Sequence, residues 1–317
     1  MNWIGWNAAR TLALTALVVA LLLPSTAAAQ DEDPPMPPTP LRKLDFSPFL
    51  DALAALTPER RSDLDALVIE ATIADLAEAM ADGRTTATEL VSYYVARTRD
   101  LDVGGLQSLN ELNPDSLAIA KALDEERAAG TVRGPLHGIP VSIKDNIGTG
   151  DLMHTTAGAA AMVDARSDRD AHLVAQLRDA GAVILGKANL SEWAGFMQIP
   201  GQPPGYSALG GQVASPYGPE LSPSGSSAGS AVGTSANLVA ASIGTETLGS
   251  LIAPASANGV VGLKPSLGLV SRDRLIPITD QTDTPGPLTR TVMDAALLLS
   301  VIAGPDEADP ATAVAAG

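Results

Sequence analysis

The chain has 317 residues and a formal net charge of −16, with no cysteine and three histidines. The missing thiols exclude disulfides, thiolate nucleophiles and Cys-based zinc sites, and the acidity argues against a nucleic-acid partner, whose phosphates demand a basic face. Hydrophobic residues make up 45% of the chain but aromatics only 3%, so Ala, Val, Leu and Ile must build the core.

At the N-terminus one basic residue, Arg10, precedes the apolar run TLALTALVVALLL, which leads to Pro24 and Ala27-Ala28-Ala29. This is the layout of a secretory signal cut after Ala29. It predicts a secreted or periplasmic protein with no stable membrane anchor after cleavage. The run is short for a span, and acidic DED follows it instead of basic residues. Residues 30–63 read as an acidic, Pro-rich linker with one short helix near Phe46–Leu56, and the main domain is expected from Leu64 to Gly317.

Helical spacing then predicts three helices. IEATIADLAEAMADG ends at Gly83, TATELVSYYVARTRDLD is capped by Thr85 or Thr86, and SLAIAKALDEERAAG ends at Gly130. IPVSI, fenced by Gly and Pro, reads as a strand, and RDAHLVAQLRDAGAVILGKANL as helix, strand and loop. LVAASI reads as a buried strand, and VMDAALLLSVIAG as a last helix. Strands alternating with helices imply an α/β architecture with a substantially parallel sheet.

Lys144 closes the apolar run VSIK, where desolvation would lower its pKa and make it a base; a surface lysine at a strand end is the alternative. Two hydroxyl clusters follow, SGSSAGS with Ser224, Ser226, Ser227 and Ser230, and TLGS ending at Ser250. Serine needs a base to become a nucleophile. With histidine limited to His137, His154 and His172, a Ser-His-Asp triad is not suggested. That leaves a Ser-Lys arrangement or a Gly/Ser loop without chemistry.

The blocks GPLHGIPVSIKDNI, TTAGAAAM, GAVILGKANLSEWA, SPSGSSAGSA, GTETLGSL, NGVVGLKPSLGLVSR and DTPGPLTRTVMDAALLLSVIAG, in this order, resemble the amidase signature family over about Leu67–Thr312. The resemblance implies a mixed, largely parallel sheet covered by helices on both faces. It also implies hydrolysis of a linear amide through an acyl-enzyme, without metal or cofactor. Lys144 matches the family's catalytic lysine, Ser226 its bridging serine after a cis Gly225-Ser226 bond, and Ser250 its nucleophile. The two serines stand 24 residues apart, which matches the family spacing. Backbone N–H groups of Thr247, Leu248, Gly249 and Ser250 would form the oxyanion hole.

Several positions depart from the family pattern. Leu248 stands where Gly or Asp is usual, and a leucine strained into positive φ would distort the oxyanion turn. Ile252 replaces a frequent Arg. Members are usually longer, so the sheet is expected to be incomplete in this chain. The alternative function is therefore a truncated or inactive amidase-like protein with a structural or binding role. A tRNA-amidotransferase subunit shares the resemblance, but the signal segment and the acidity oppose it. Peptide, aryl, fatty and small amides all remain open as substrates.

Other residues carry lesser expectations. Ser224 could bond Lys144, while Ser227 and Ser230 support the loop. Thr155, Thr156 and Gly158 could shape the acyl pocket. Asp145 is expected to anchor a turn and His137 to be structural, with His154 and His172 exposed or packing. Met153 and Met197 are expected in the core.

Overall fold

The chain is described by a computed structural model over residues 40–197 and 199–316. The expected signal peptide and most of the acidic linker lie outside the described residues. Packed structure starts well before Leu64. Leu41 and Arg42 donate backbone hydrogen bonds to the carbonyls of Ala208 and Leu209, and helices α1 (Leu50–Ala55) and α2 (Pro58–Val68) follow. Phe49, Leu64 and Val68 are buried in the main core. The reading of 30–63 as linker missed α2, whose N-cap Thr57 accepts from Arg60 N. Thr57-Pro58, just past the end of α1, opens α2 as a cap with Pro at the first helical position.

Local signals set the next helices. Helix α3 (Ile73–Ala81) opens on a reciprocal capping box between Thr72 and Asp75, and Gly83 follows it at φ +70. Thr86, not Thr85, caps α4 (Ala87–Arg97) by accepting from Glu89 N. A wider π-type turn continues that helix from Thr98, and the backbone leaves the helix at Val103 and Gly104. Strand β1 (Leu109–Leu112) and helix α5 (Ser116–Ala128) come next. Then follow β2 (Pro140–Lys144), α6 (His172–Asp179) and β3 (Val183–Ala188). The short pair β4 (Tyr206–Ser207) and β5 (Gly211–Gln212) precedes α7 (Ala228–Ser235) and β6 (Ala241–Glu246). The described chain closes with α8 (Ile252–Ala257), β7 (Val261–Gly262), β8 (Thr284–Thr289) and α9 (Val292–Ile302).

The main sheet has six strands in the order β1-β3-β2-β6-β8-β7. Its centre is parallel, with β2 paired to both β3 and β6. The flanks are antiparallel, β1 to β3 on one side and β8 to β6 and β7 on the other. The architecture is thus mixed α/β with a parallel centre. Successive side chains of a strand face opposite ways. On one face Val141, Ile143 and Ile243 join the large apolar core with Leu90, Leu173 and Leu298 from α4, α6 and α9. On the other, Ser142 Oγ meets Ser242 Oγ at 2.7 Å, and Ser242 Oγ meets Thr234 Oγ1 of α7 at 2.9 Å.

Helix α7 explains the Gly/Ser-rich stretch. A Cβ at Gly229 would lie 2.2 Å from the Ser108 carbonyl and 2.5 Å from that of Asn189. Only glycine lets the helix approach the backbone that closely. Small hydroxyls then fill the thin layer between helix and sheet and satisfy one another there. Periodicity could not show this helix, because it is small on every side and has no apolar stripe.

Candidate active site

Strands β2 and β6 run side by side in the same direction and end together, at Lys144 and Glu246. Crevices at the carboxyl ends of such strands are the usual binding places of α/β sheets. Lys144 is wholly buried. Its Nζ lies 2.7 Å from Ser226 Oγ, 3.0 Å from Thr245 Oγ1 and 3.2 Å from the Thr245 carbonyl. Burial pushes the ammonium down to about 7, against the opposing pull of the Asp283 and Glu246 carboxylates.

Ser226 immediately precedes the N-terminus of α7 and is buried, and the Gly225–Ser226 peptide bond is cis. Ser250 sits on the turn between β6 and α8 and is half-buried. Ser227 N donates to the Ser250 carbonyl at 3.2 Å, tying the two serine segments together. Ser226 and Ser250 line one narrow cavity with Asn146, Thr245, Thr247, Ile276 and Asp283. Its free volume is about 10 Å³, room for roughly one water-sized group.

Among the described residues, none of the backbone N–H groups of Thr247, Leu248, Gly249 and Ser250 donates to another backbone carbonyl. Of these four residues Thr247 and Ser250 line the cavity, whereas Leu248 and Gly249 do not. Gly249 takes φ +85, whereas Leu248 is not among the positive-φ residues. The expected strain at Leu248 does not occur, because the neighbouring glycine absorbs the turn. The leucine side chain points away from the core and is 92% exposed. Glu246 braces the same turn, its Oε2 accepting from Leu251 N at 2.8 Å and Ile252 N at 3.0 Å. Asp283 braces it from the opposite strand side, accepting from Thr247 Oγ1 at 2.5 Å and from Ile278 N and Thr279 N.

Other expectations fare differently. Ser224 does not join Lys144; it holds a left-handed backbone at φ +58, and its N–H donates to Ser222 Oγ. Ser227 is the centre of a G-x-S-x-G match, Gly225–Gly229, yet its Oγ is buried and donates to the Thr245 carbonyl at 3.1 Å. Thr155, Thr156 and Gly158 stand apart from the cavity lining. Thr155 Oγ1 accepts from Lys187 Nζ, and Thr156 bonds Asp145 through both N and Oγ1. Asp145 does anchor a turn, its carbonyl accepting from Thr156 N and Ala157 N. His137 is buried, with Nε2 at 2.9 Å from the Leu123 carbonyl. His154 pairs with Glu111, and His172 lies 3.7 Å from Asp306. Met153 is core, but Met197 is exposed on a loop.

Five residues at or behind the site escaped the sequence reading: Thr245, Glu246, Asn146, Asp283 and Lys187. Thr245 and Glu246 lie in the GTETLGS block, and Asn146 is two residues beyond Lys144. Lys187 had its own signal, a lone cation inside the apolar strand VILGKA. Among the described residues no cluster of three or more His, Asp or Glu side chains is arranged to hold a metal ion.

The sequence profile of the amidase family matches residues 89–316. The chain belongs to the amidase family. A putative amidase of Schizosaccharomyces pombe is 48% identical over 242 residues, which cover 76% of this chain and 41% of that protein. The crystal structure of native peptide amidase from Stenotrophomonas maltophilia superposes with a TM-score of 0.75 at 53% identity, covering 77% of this chain and 50% of that one. An amidase family protein from Bacillus anthracis gives a TM-score of 0.83 at 40% identity, covering 89% and 57%. The chain thus spans about half the length of these relatives, or less. All the site residues described above, from Lys144 to Asp283, fall inside the matched segment.

Proposed function

We propose that this chain carries the catalytic part of an amidohydrolase that cleaves a carboxylic amide through an acyl-enzyme at Ser250. The observation that carries the reading is the contact of Lys144 Nζ with Ser226 Oγ, 2.7 Å apart and buried, at the cavity that Ser250 also lines. A lysine held near neutrality has a lone pair available where an ordinary lysine has none.

In this mechanism neutral Lys144 accepts the Ser226 hydroxyl proton while Ser226 takes that of Ser250. Ser250 Oγ bonds to the amide carbonyl carbon, and the oxyanion is held by N–H groups of the 247–250 turn. The C–N bond then breaks, and the nitrogen leaves with the proton carried back along the relay. Water deacylates Ser250 by the same route and releases a carboxylate. Peptide amides are the first substrates to test, because the peptide amidase of Stenotrophomonas maltophilia is 53% identical over the matched region.

The reading extends to location. The signal-like segment ending at Ala29 supports a secreted or periplasmic protein, and N-terminal sequencing of the mature protein tests it. For the chemistry, the chain is treated with a fluorophosphonate and the labelled peptide is mapped. Label is expected on Ser250 and is expected to vanish in Ser250→Ala. Label that persists elsewhere in that variant removes Ser250 as nucleophile.

A further inference from the structure

Among the described residues that line the cavity, Asn146 is the one with a buried polar side-chain atom left over. The residue is 3% exposed. Nδ2 donates to Thr245 Oγ1 at 3.0 Å, and its backbone carbonyl accepts from Ile276 N at 2.8 Å. The residue is thus held at both ends, with the amide plane set by Thr245. Its Oδ1 has no hydrogen-bond partner among the described residues. A buried carbonyl oxygen without a donor costs free energy unless something that visits the site supplies one.

We propose that Asn146 Oδ1 accepts an N–H of the scissile carboxamide, making Asn146 the residue that recognises the leaving nitrogen. The inference rests on the amide-cleaving reading of the site. Asn146, Ser226 and Ser250 line the same cavity, whose free volume is about 10 Å³. That admits a group the size of NH₂. A primary carboxamide offers N–H donors, and its oxygen would turn toward the 247–250 turn. An isosteric methyl ketone offers the same carbonyl and shape but no N–H. When the C–N bond breaks, the nitrogen gains a proton from Ser226, which Lys144 reprotonates, and departs as ammonia, still donating to Asn146. The acceptor therefore serves the ground state and the leaving group alike.

The orientation of the Asn146 amide decides the sign of the effect. With Nδ2 on Thr245, the cavity meets an acceptor and favours N–H. With the amide turned over, the cavity would meet a donor, and amide and ketone would bind alike through their shared carbonyl.

The test uses the full chain carrying Ser250→Ala, which cannot acylate, with N-acetyl-phenylalaninamide and the methyl ketone of the same acyl group as ligands. Binding is read by ligand-observed NMR titration. The amide is expected to bind about tenfold tighter than the ketone, a ratio equivalent to about 1.4 kcal/mol and to one hydrogen bond. Adding Asn146→Leu should bring the ratio to about one, and Asn146→Ser gives the same readout if the leucine variant does not fold. Equal binding with Asn146 present, a ratio unchanged in both variants, or binding of neither ligand overturns the proposal. Failure of the amidase reading would look different: discrimination by the Ser250→Ala chain, with no hydrolysis of the amide by the chain that retains Ser250.

Discussion

Lys144 and Lys187 are buried on neighbouring strands yet project from opposite faces of the sheet. The register pairs Lys187 with Ile143, so Lys144 is out of phase with it. Lys144 faces the serines of the cavity. Lys187 faces the loop after β2, where Nζ donates to the Ile147 carbonyl at 2.6 Å and to Thr155 Oγ1 at 3.0 Å. Burial lowers both ammonium groups, Lys144 to about 7 and Lys187 to about 8. For Lys187 the opposing charge comes first from Asp145, itself buried and pushed up by desolvation.

The two lysines should therefore respond oppositely to replacement. The folded chain releases the Lys144 proton near 7, whereas the free side chain holds it to 10.5. Between those values the unfolded chain binds more protons, so this residue's destabilising effect is full below about 7 and fades as pH rises toward 10.5. Lys144→Met is expected to abolish turnover and to raise stability near neutral pH by about 2 kcal/mol. Lys187→Met strands the Ile147 carbonyl and leaves Asp145 facing no cation, so a loss of about 3 kcal/mol is expected. Urea unfolding of both variants, with kcat on a peptide amide, checks the pair.

A second expectation concerns the pH profile. If neutral Lys144 is the base, kcat/KM should fall as pH drops below about 7. Asp283 lines the cavity, and its negative charge raises the Lys144 pKa. Asp283→Asn keeps an oxygen for Ile278 N and Thr279 N but removes that charge, so the acid limb should move to lower pH. A limb that stays in place while the rate falls would show that Asp283 only holds Thr247.

Part of this site could be read from the residues alone. The strand ending at Lys144 and the two hydroxyl clusters are local patterns, whereas the pairing of Ser226 with Ser250 and the turn at 247–250 followed from the family resemblance. What stayed hidden depended on contacts far apart in the chain. Asp283 reaches Thr247 across 36 residues, and Asn146 reaches Thr245 across 99. Short-range periodicity carries no trace of such pairings. Helix α7 was missed for another reason, since its small residues reflect a close approach to Ser108 and Asn189 and present no apolar stripe. Strand β8, TPGPLT, was hidden by its two prolines and its glycine, which normally argue against a strand inside a sheet.

The Leu248-Gly249 pair gives a third test. Gly249 holds φ +85, a conformation that side chains disfavour, although a Cβ there would meet nothing within 4 Å. Gly249→Ala should therefore cost about 1–2 kcal/mol through the backbone alone, and turnover should fall as the N–H groups of the turn shift. Leu248 bears no such strain and is exposed. Leu248→Gly should leave the melting temperature within a degree or two of the unmodified chain, since surface changes of this kind stay within about 0.5 kcal/mol. A marked rise in kcat for Leu248→Gly would mean that the leucine obstructs the turn despite its exposure.

Glu246 offers the last test, because it joins the base and the nucleophile electrostatically and mechanically. One carboxylate oxygen receives the N–H groups of Leu251 and Ile252, the two residues after Ser250. The same charge helps to hold the Lys144 pKa up. Charge-assisted hydrogen bonds of this kind are worth about 1.5–3 kcal/mol each. Glu246→Ala removes both, so the turn that carries Ser250 loses its brace, and kcat should fall by about 100-fold with a smaller change in KM. Glu246→Gln can still accept through its carbonyl oxygen, and should recover part of that rate. It cannot restore the charge, so the acid limb of its profile should lie below that of the unmodified chain. Fluorophosphonate labelling of Ser250 should slow in parallel with kcat in both variants. If glutamine instead restored rate and acid limb together, Glu246 would act by geometry alone, and Asp283 would be left as the carboxylate that sets the lysine.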